Sequence, residues 1–455
     1  MSQGKRLFGT DGVRGTANVH PMTAEMALSL GQAIAHVFYE AGEERPRIII
    51  GKDTRLSGYL FEDALAAGIC SMGVDVIMVG PMPTPGMAFL TADMRCHAGV
   101  MISASHNPYR DNGIKFFSSD GFKLPDAIEN RIEQLIQSGA LADLRANAES
   151  IGQAKRIDDV TGRYVVFLKN TFPREFSLDG VRVVLDCANG AAYKVGPIVL
   201  RELGAEVFTL GVSPNGRNIN DGCGSLFPEK TAAKVREVRA DVGIALDGDA
   251  DRALLIDENG DTVDGDALLA LFAADLQERG ELCGDKVVAT VMSNLGLEKA
   301  LEARGLGLVR TQVGDRYVVE AMRTGGYKLG GEQSGHIVFL DHNTTGDGLI
   351  TALQTLAIMR RREQRLSELT GSFERYPQLL VNVPVSEKKP IEALPELQAV
   401  IKRIEAELSG RGRVLIRYSG TEPKARIMVE GTDEAQVSEY ANELARALQR
   451  SVGED

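Results

Sequence analysis

Residues 47–80 read RIIIGKDTRLSGYLFEDALAAGICSMGVDVIMVG, and this stretch decides the fold class. The apolar run RIIIGKD, Arg47 to Asp53, is typical of a β-strand, whereas Ser57 to Met72 has the spacing of a helix. Gly73 then ends the helical pattern, and VDVIMVG returns to a β-like pattern. The stretch therefore predicts a strand–helix–strand unit.

The same order of elements returns twice further along the chain. VRVVLDCANG (181–190) leads through a helix to GAEVFTL (204–210), and KVVATVMSN (286–294) leads in the same way to GLGLVRT (305–311). Strands that alternate with helices predict parallel sheets covered by helices, and such sheets bind ligands beyond the carboxyl ends of their strands. We therefore expect the functional residues just after these strands.

The last part of the chain follows a different pattern. A helical stretch from Leu349 to Leu369 ends at a small-residue join near Gly371 to Pro377. The elements predicted after the join are a strand at 379–384, a helix at 397–408, strands at 413–418 and 425–430, and a long helix after Thr432. This pattern predicts a separate C-terminal α+β domain.

Composition restricts the class of protein. At 455 residues, with 44% hydrophobic and 25% charged residues, the chain is long enough for three or four globular domains. Its net charge of −12 argues against nucleic acid as a partner. The five cysteines form no C-x-x-C pair, which favours reduced thiols in the cytoplasm. No stretch resembles a signal peptide or a membrane span, so we expect neither export nor membrane insertion.

The strongest acidic motif is ALDGDADR, which follows the apolar run VGIAL and contains Asp247, Asp249 and Asp251. Three carboxylates at alternate positions can converge on one hard cation, so the motif indicates a magnesium site. An EF-hand loop is disfavoured because its sixth position holds Arg252 instead of glycine. A solvated acidic turn without metal remains the alternative.

Residues 99–117, GVMISASHNPYRDNGIKFF, place Ser105 and His106 at the tip of a turn after an apolar strand. Ser105 is the candidate nucleophile. No Gly-x-Ser-x-Gly elbow is present, so phosphoryl chemistry with a divalent metal suits it better than acyl transfer. The alternative is that Ser105 or Ser103 only caps the turn.

Three glycine-containing loops could bind a phosphorylated sugar. RYSGTEPKAR (417–426) offers backbone N–H groups, hydroxyls and Arg417 to a phosphate, and GTDGVRG (9–15) offers Arg14. GGEQSGH (330–336) places Glu332, Ser334 and His336 together, which suits sugar hydroxyls and proton transfer.

Five motifs of this chain resemble those of the α-D-phosphohexomutase superfamily, in the order GTDGVRG, ISASHNP, DGDADR, GEQSGH and RYSGTEP. The resemblance covers essentially the whole length of the chain. It implies an α/β fold of three related α/β domains with mixed sheets, plus a C-terminal α+β domain, around a central cleft. The domains would span residues 1–156, 157–255, 256–370 and 371–455.

The resemblance also assigns roles to residues. It implies that Ser105 carries the phosphoryl group, and that the three aspartates bind one Mg²⁺ per subunit together with it. Arg14 and Lys115 would flank the phosphoserine, Lys115 or His336 would act as acid or base, and His106 would position the serine. The sugar would bind to Glu332, Ser334 and Arg252. The distal phosphate would be held by Arg417, Ser419, Gly420, Thr421 and Arg426.

Three segments resemble the glucosamine branch of the superfamily: Glu332-Gln333-Ser334, NINDGCGS (218–225) and VGDRYV (313–318). That branch interconverts glucosamine 6-phosphate and 1-phosphate through glucosamine 1,6-bisphosphate, on the way to UDP-N-acetylglucosamine and the cell wall. It implies a cytoplasmic homodimer. The alternatives are a phosphomannomutase or phosphoglucomutase, a magnesium-dependent sugar phosphatase, and a phosphosugar-binding protein without catalysis.

Overall fold

Four β-sheets follow one another along the chain in this computed structural model, which describes residues 7–9, 11–40, 46–418 and 423–452. The first sheet has the strands β1 (Val13–Thr16), β2 (Arg47–Lys52), β3 (Asp75–Pro81), β4 (Ala98–Ile102), β5 (Asp111–Ser118) and β6 (Ala154–Arg156). Their order in the sheet is β1-β5-β4-β2-β3-β6. Its helices are α1 (Ala24–Glu40), α2 (Ser57–Ser71), α3 (Thr84–Asp93) and α4 (Asp126–Ser138).

The predicted strand–helix–strand unit is confirmed as β2, α2 and β3, and β2 pairs in parallel with β3 and β4. The sheet is mixed, because β5 runs antiparallel to both β4 and β1. Ile48 and Ile50 pack into the core below α1 and α2, whereas Ile49 packs into the core shared with the second and third sheets. Alternate side chains of a strand point to opposite faces, so an unbroken apolar run marks a strand that is covered on both sides.

The second sheet has five strands, in the order β11-β10-β9-β7-β8. They are β7 (Arg182–Asp186), β8 (Glu206–Leu210), β9 (Val242–Leu246), β10 (Ala253–Ile256) and β11 (Thr262–Val263). Its helices are α5 (Thr161–Thr171), α6 (Val195–Glu202) and α7 (Glu229–Val238). β7 is parallel to β8 and β9, and the chain then turns back into the antiparallel strand β10.

The third sheet has four strands, in the order β13-β12-β14-β15. They are β12 (Lys286–Thr290), β13 (Gly307–Thr311), β14 (Leu329–Gly331) and β15 (Ile337–Phe339). Its helices are α8 (Gly265–Glu278), α9 (Leu295–Glu302), α10 (Asp315–Gly325), α11 (Gly348–Arg362) and α12 (Leu366–Thr370). The single helix expected over Leu349 to Leu369 was wrong: Glu363 is left-handed, with φ 51°, and separates α11 from α12.

The fourth sheet is antiparallel, in the order β16-β18-β17, as expected for a C-terminal α+β unit. Its strands are β16 (Gln378–Pro384), β17 (Gly412–Tyr418) and β18 (Lys424–Gly431), and its helices are α13 (Pro395–Leu408) and α14 (Glu434–Val452). Within the described residues, none of the helices combines the length and the apolar character required to cross a bilayer.

Candidate active site

Ser105 lies in the turn that leaves β4, at the carboxyl end of a central strand. It is only 2% exposed, and its backbone is left-handed, with φ 51°. The Ser105 N–H donates to Ser103 Oγ at 2.9 Å, and Ser103 Oγ donates to Asp53 Oδ2 at 2.7 Å. Ser103 therefore caps the turn, which leaves the Ser105 hydroxyl to face the rest of the site.

The three aspartates lie in the turn between β9 and β10, beside the serine turn. All three are buried, and one carboxylate oxygen from each lies within 4.8 Å of the others. Ser105 Oγ donates to Asp247 Oδ2 at 2.6 Å, although the two residues are 142 positions apart. The fold thus brings the predicted nucleophile and the predicted metal ligands together.

The oxygen atoms of this turn suit a hard cation. Asp249 Oδ1 and Asp251 Oδ1 are buried without a hydrogen-bond partner among the described residues. Buried carboxylate oxygens without a donor are costly, and oxygen ligands are those that Mg²⁺ prefers. Burial and the charges of Asp251 and Asp249 raise the pKa of Asp247 well above its usual range, because an ionised Asp247 is unfavourable there. A bound cation would offset this unfavourable charge.

Lys115, on β5, points from the first unit into the aspartate turn. Its Nζ lies 3.0 Å from Asp249 Oδ2, 3.7 Å from Asp251 Oδ2 and 3.1 Å from Asp11 Oδ2. Burial alone would lower the pKa of Lys115, but these three carboxylates outweigh it and raise the pKa. The ammonium is therefore charged in this arrangement and able to stabilise an anion.

Asp11 organises the cations at the mouth of the site. It forms ion pairs with Arg14 and Lys123, and Lys123 also pairs with Asp315 of α10. Burial would raise the pKa of Asp11, but Lys115, Lys123 and Arg14 lower it well below its usual range. Asp11 thus remains ionised and fixes the position of the Arg14 guanidinium beside the serine.

Two histidines contact the site, His106 from the serine turn and His336 from the turn between β14 and β15. His106 Nδ1 lies 3.3 Å from Ser105 Oγ, and burial, with Arg252 and Arg14, lowers the pKa of His106 to about 4. His336 Nε2 accepts a hydrogen bond from Gly346 N–H at 3.1 Å. A neutral His336 therefore carries its proton on Nδ1, which lies 3.7 Å from Asp251 Oδ1.

A cavity of about 600 Å³ joins these groups to the predicted sugar loop. Glu332 and His336 line it from the turn between β14 and β15, together with Ser105, Arg14 and Arg252. Glu332 Oε2 accepts from Ser334 Oγ at 3.3 Å, and its Oε1 accepts from Gly314 N–H at 3.3 Å. The Glu332 carboxylate is thus held in place at the wall of the cavity, where a sugar hydroxyl could donate to it.

Of the predicted distal phosphate loop, the structure describes the two arginines but not residues 419–422. Arg417 and Arg426 are direct cross-strand partners on β17 and β18, but neither lines the cavity. Two like charges opposite one another are unfavourable, and burial together with Arg426 lowers the pKa of Arg417. The pair is suited to an anion. Ser419, Gly420 and Thr421 lie outside the residues that the structure describes.

The sequence analysis did not single out Thr84 and Arg55, which support the site. Thr84, at the start of α3, donates from Oγ1 to Asp249 Oδ2 at 2.6 Å. Arg55, completely buried after β2, pairs with Asp53 and donates to backbone carbonyls of the serine turn. Their position after parallel strands of the first sheet was the available signal, because polar residues at that edge are candidates for a site.

Models of four domains of one family match the chain in order. They are the alpha/beta/alpha domains I, II and III and the C-terminal domain of phosphoglucomutase/phosphomannomutase, at residues 5–143, 162–260, 264–376 and 380–447. The chain therefore belongs to the phosphoglucomutase/phosphomannomutase family, the phosphohexomutases, which confirms the predicted family and enzyme class.

Among curated relatives, the phosphoglucosamine mutase of Syntrophotalea carbinolica is 60% identical over 449 residues, which cover 99% of this chain and 98% of the relative. A solved family member from Burkholderia thailandensis is 24% identical with a TM-score of 0.81, and the match covers 98% of this chain and 97% of that one. The Aspergillus fumigatus N-acetylphosphoglucosamine mutase, solved with GlcNAc-6P and magnesium, is 19% identical with a TM-score of 0.62, covering 98% and 96%. These two likenesses confirm the predicted fold class.

Proposed function

We propose that this protein is a phosphoglucosamine mutase, which interconverts glucosamine 6-phosphate and glucosamine 1-phosphate. The observation that carries the proposal is the 2.6 Å contact between Ser105 Oγ and Asp247, at the wall of a cavity that Ser105 lines together with Arg14 and Glu332. The glucosamine specificity is taken from the name of the relatives at 60% identity.

Asp247, Asp249 and Asp251 would hold one Mg²⁺ together with a phosphorylated Ser105. The buried Oδ1 atoms of Asp249 and Asp251, which have no hydrogen-bond partner among the described residues, support this assignment. When bound, the ion would neutralise charge on the phosphoryl oxygens. The magnesium in the Aspergillus relative agrees with the choice of metal.

The reaction starts with phosphorylated Ser105. The phosphoryl group passes to the 1-hydroxyl oxygen of glucosamine 6-phosphate, the bond from phosphorus to Ser105 Oγ breaks, and the hydroxyl proton passes to a base. The candidates for that base are Lys115, from its neutral form only, which its three carboxylate neighbours disfavour, and His336, once its Nε2 is released from the Gly346 N–H. After the 1,6-bisphosphate has turned round, its 6-phosphoryl group passes back to Ser105 Oγ and the bond from phosphorus to O6 breaks. The base returns its proton to O6, and glucosamine 1-phosphate leaves.

The remaining residues bind and orient the reactants. Arg14 and the charged Lys115 stabilise the phosphoryl oxygens while His106 supports the serine, and electrostatic positioning of this kind dominates phosphoryl transfer. The sugar hydroxyls donate hydrogen bonds to Glu332 and Ser334, beside Arg252. The distal phosphate binds Arg417 and Arg426 together with Ser419, Gly420 and Thr421.

A coupled assay of glucosamine 6-phosphate conversion with Mg²⁺ tests the proposal. The parent protein should show activity and a removable phosphoryl mass, and Ser105→Ala should lack both. Ser438→Ala, an exposed change on α14, is the matched control and should behave like the parent. Full activity of Ser105→Ala would overturn the mechanism, and turnover of glucose or mannose phosphates alone would overturn the glucosamine assignment. Release of inorganic phosphate would instead indicate a phosphatase.

A further inference from the structure

Asn220, in the NINDGCGS segment of the second unit, reaches into the serine turn of the first unit. It is buried, and its backbone is left-handed, with φ 58°. Its Nδ2 donates to two carbonyl oxygens of the turn, Ser105 O at 2.9 Å and Asn107 O at 3.0 Å. The side-chain amide thus contacts the backbone of the nucleophile itself.

Arg55 binds the same two carbonyls from the first unit. Its Nη2 donates to Ser105 O at 2.9 Å and to Asn107 O at 2.8 Å. Each oxygen therefore accepts two donors, one from each unit, and both lone pairs are used. We call these two carbonyls and their two donor side chains the carbonyl clamp.

The aspartate turn lies directly on the carbonyl clamp. A Cβ atom on Gly248 would come within 2.6 Å of Ser105 O and 2.8 Å of Asn220 Nδ2, so no other residue fits there without a shift. Gly248 lies between Asp247 and Asp249, and the clamp therefore fixes the serine turn relative to the carboxylates.

We infer that Asn220 is a positioning residue for phosphoryl transfer, an inference that rests on the proposed function. It holds the Ser105 backbone in a left-handed conformation that serine rarely adopts, and it ties that backbone to the unit that carries the aspartates. Without its amide, Arg55 still anchors the turn to the first unit, but the backbone of the serine turn loses its two hydrogen bonds to the second unit.

Two substitutions separate hydrogen-bond donation from packing. Asn220→Ala removes the donor, and Asn220→Asp keeps the shape but turns an oxygen towards two carbonyl oxygens. We expect kcat to fall about tenfold in Asn220→Ala and further in Asn220→Asp, with KM within about twofold of the parent, because a small misplacement of the reacting atom affects the chemical step most. Asn218→Ala is the control: Asn218 Nδ2 donates to Ser213 O and its Oδ1 accepts from Asn215 N–H, both within its own loop, and among the described residues its side chain forms no hydrogen bond with the serine turn.

Single-turnover transfer from phosphorylated protein gives the second readout. The acceptor is whichever of glucosamine, glucose or mannose 6-phosphate the parent protein turns over. A wrong sugar assignment would therefore change the parent's substrate preference but would not affect this test. Rates are normalised to the phosphoserine content of the folded protein, measured by intact mass, so that loss of folded protein does not imitate loss of positioning. The inference would be overturned if both Asn220 variants transferred the phosphoryl group as fast as Asn218→Ala. It would also be overturned if Asn220→Ala and Asn220→Asp lost the same fraction of the transfer rate.

Discussion

Thr84 shows how one hydroxyl supports the aspartate turn from outside it. It donates to Asp249 Oδ2 at 2.6 Å, and its own N–H donates to the Asp249 carbonyl at 2.9 Å. The side-chain bond orients the Asp249 carboxylate, so that Oδ1 is left available to a cation. Groups that orient a metal ligand in this way typically change metal affinity by about 10- to 100-fold when they are removed.

Thr84→Val should therefore raise the Mg²⁺ concentration for half-maximal activity about tenfold. Valine keeps the branched shape of threonine, so the change removes the donor and little else. Thr84→Ser, which keeps the hydroxyl, serves as the control and should resemble the parent. The measurement is a Mg²⁺ titration of activity, and an unchanged Thr84→Val curve would show that the hydroxyl does not orient the ligand.

Arg417 should act on substrate binding and not on the chemical step. A charge-assisted hydrogen bond to phosphate contributes about 1.5–3 kcal/mol, so Arg417→Ala should raise KM for glucosamine 6-phosphate by about 10- to 100-fold. Its kcat should change little, because the distal phosphate is bound equally before and during transfer. Steady-state kinetics test this, with the exposed Arg446→Ala as control. A fall in kcat at constant KM would contradict the assigned role.

At the scale of elements, the N-terminus of α11 depends on one buried carboxylate. Asp347 Oδ1 accepts from the N–H groups of Leu349 and Ile350, both at 3.0 Å, and Asp347 Oδ2 accepts from the Tyr164 hydroxyl at 2.6 Å. It thereby caps α11 and joins it to α5. Burial raises the pKa of Asp347 to about 6, although these hydrogen bonds oppose the shift.

Because this pKa is higher in the folded protein than in the unfolded chain, protonated Asp347 adds stability below about pH 4, and that contribution is lost as the pH rises through about 6. Asp347→Asn cannot titrate. The stability of the parent relative to Asp347→Asn should therefore fall as the pH rises from about 4 to about 7. Denaturant unfolding of both proteins at each pH measures the difference, and a constant difference would contradict the shifted pKa.

At the scale of the whole molecule, the two candidate phosphate sites lie on different units. Ser105 faces the cavity, whereas Arg417 and Arg426 do not line it. The fourth unit contacts the third through buried Glu430, whose Oε2 accepts from Leu295 N–H at 3.2 Å. Because the proposed substrate would contact both sites at once, we expect the fourth unit to turn towards the cavity when it binds.

Solution scattering should therefore record a smaller radius of gyration when glucosamine 1,6-bisphosphate is added. The double variant Arg417→Ala/Arg426→Ala should show no such change, because it lacks the two guanidinium groups proposed to hold the distal phosphate. The exposed Arg446→Ala should compact like the parent. Identical scattering of the parent with and without the bisphosphate would contradict closure.

The sequence by itself determined the family, the three strand–helix–strand units and the chemistry of the motifs. These features depend on local pattern: an apolar run such as Ile48 to Ile50 makes a buried strand, and three aspartates at alternate positions make a turn rich in oxygen ligands. The roles given to Ser105, the aspartates and the phosphate loop stay predictions until the experiments above are done.

Only the tertiary structure decided which residues meet. Thr84 and Asp249 are 165 positions apart, and Asn220 lies 115 positions from Ser105. Their hydrogen bonds depend on how the first two units pack, since local periodicity carries no information about which turns come together across an interface. The Arg55 contacts, the break at Glu363 and the separation of Arg417 from the cavity have the same origin: backbone geometry and packing between units set the orientation of these groups.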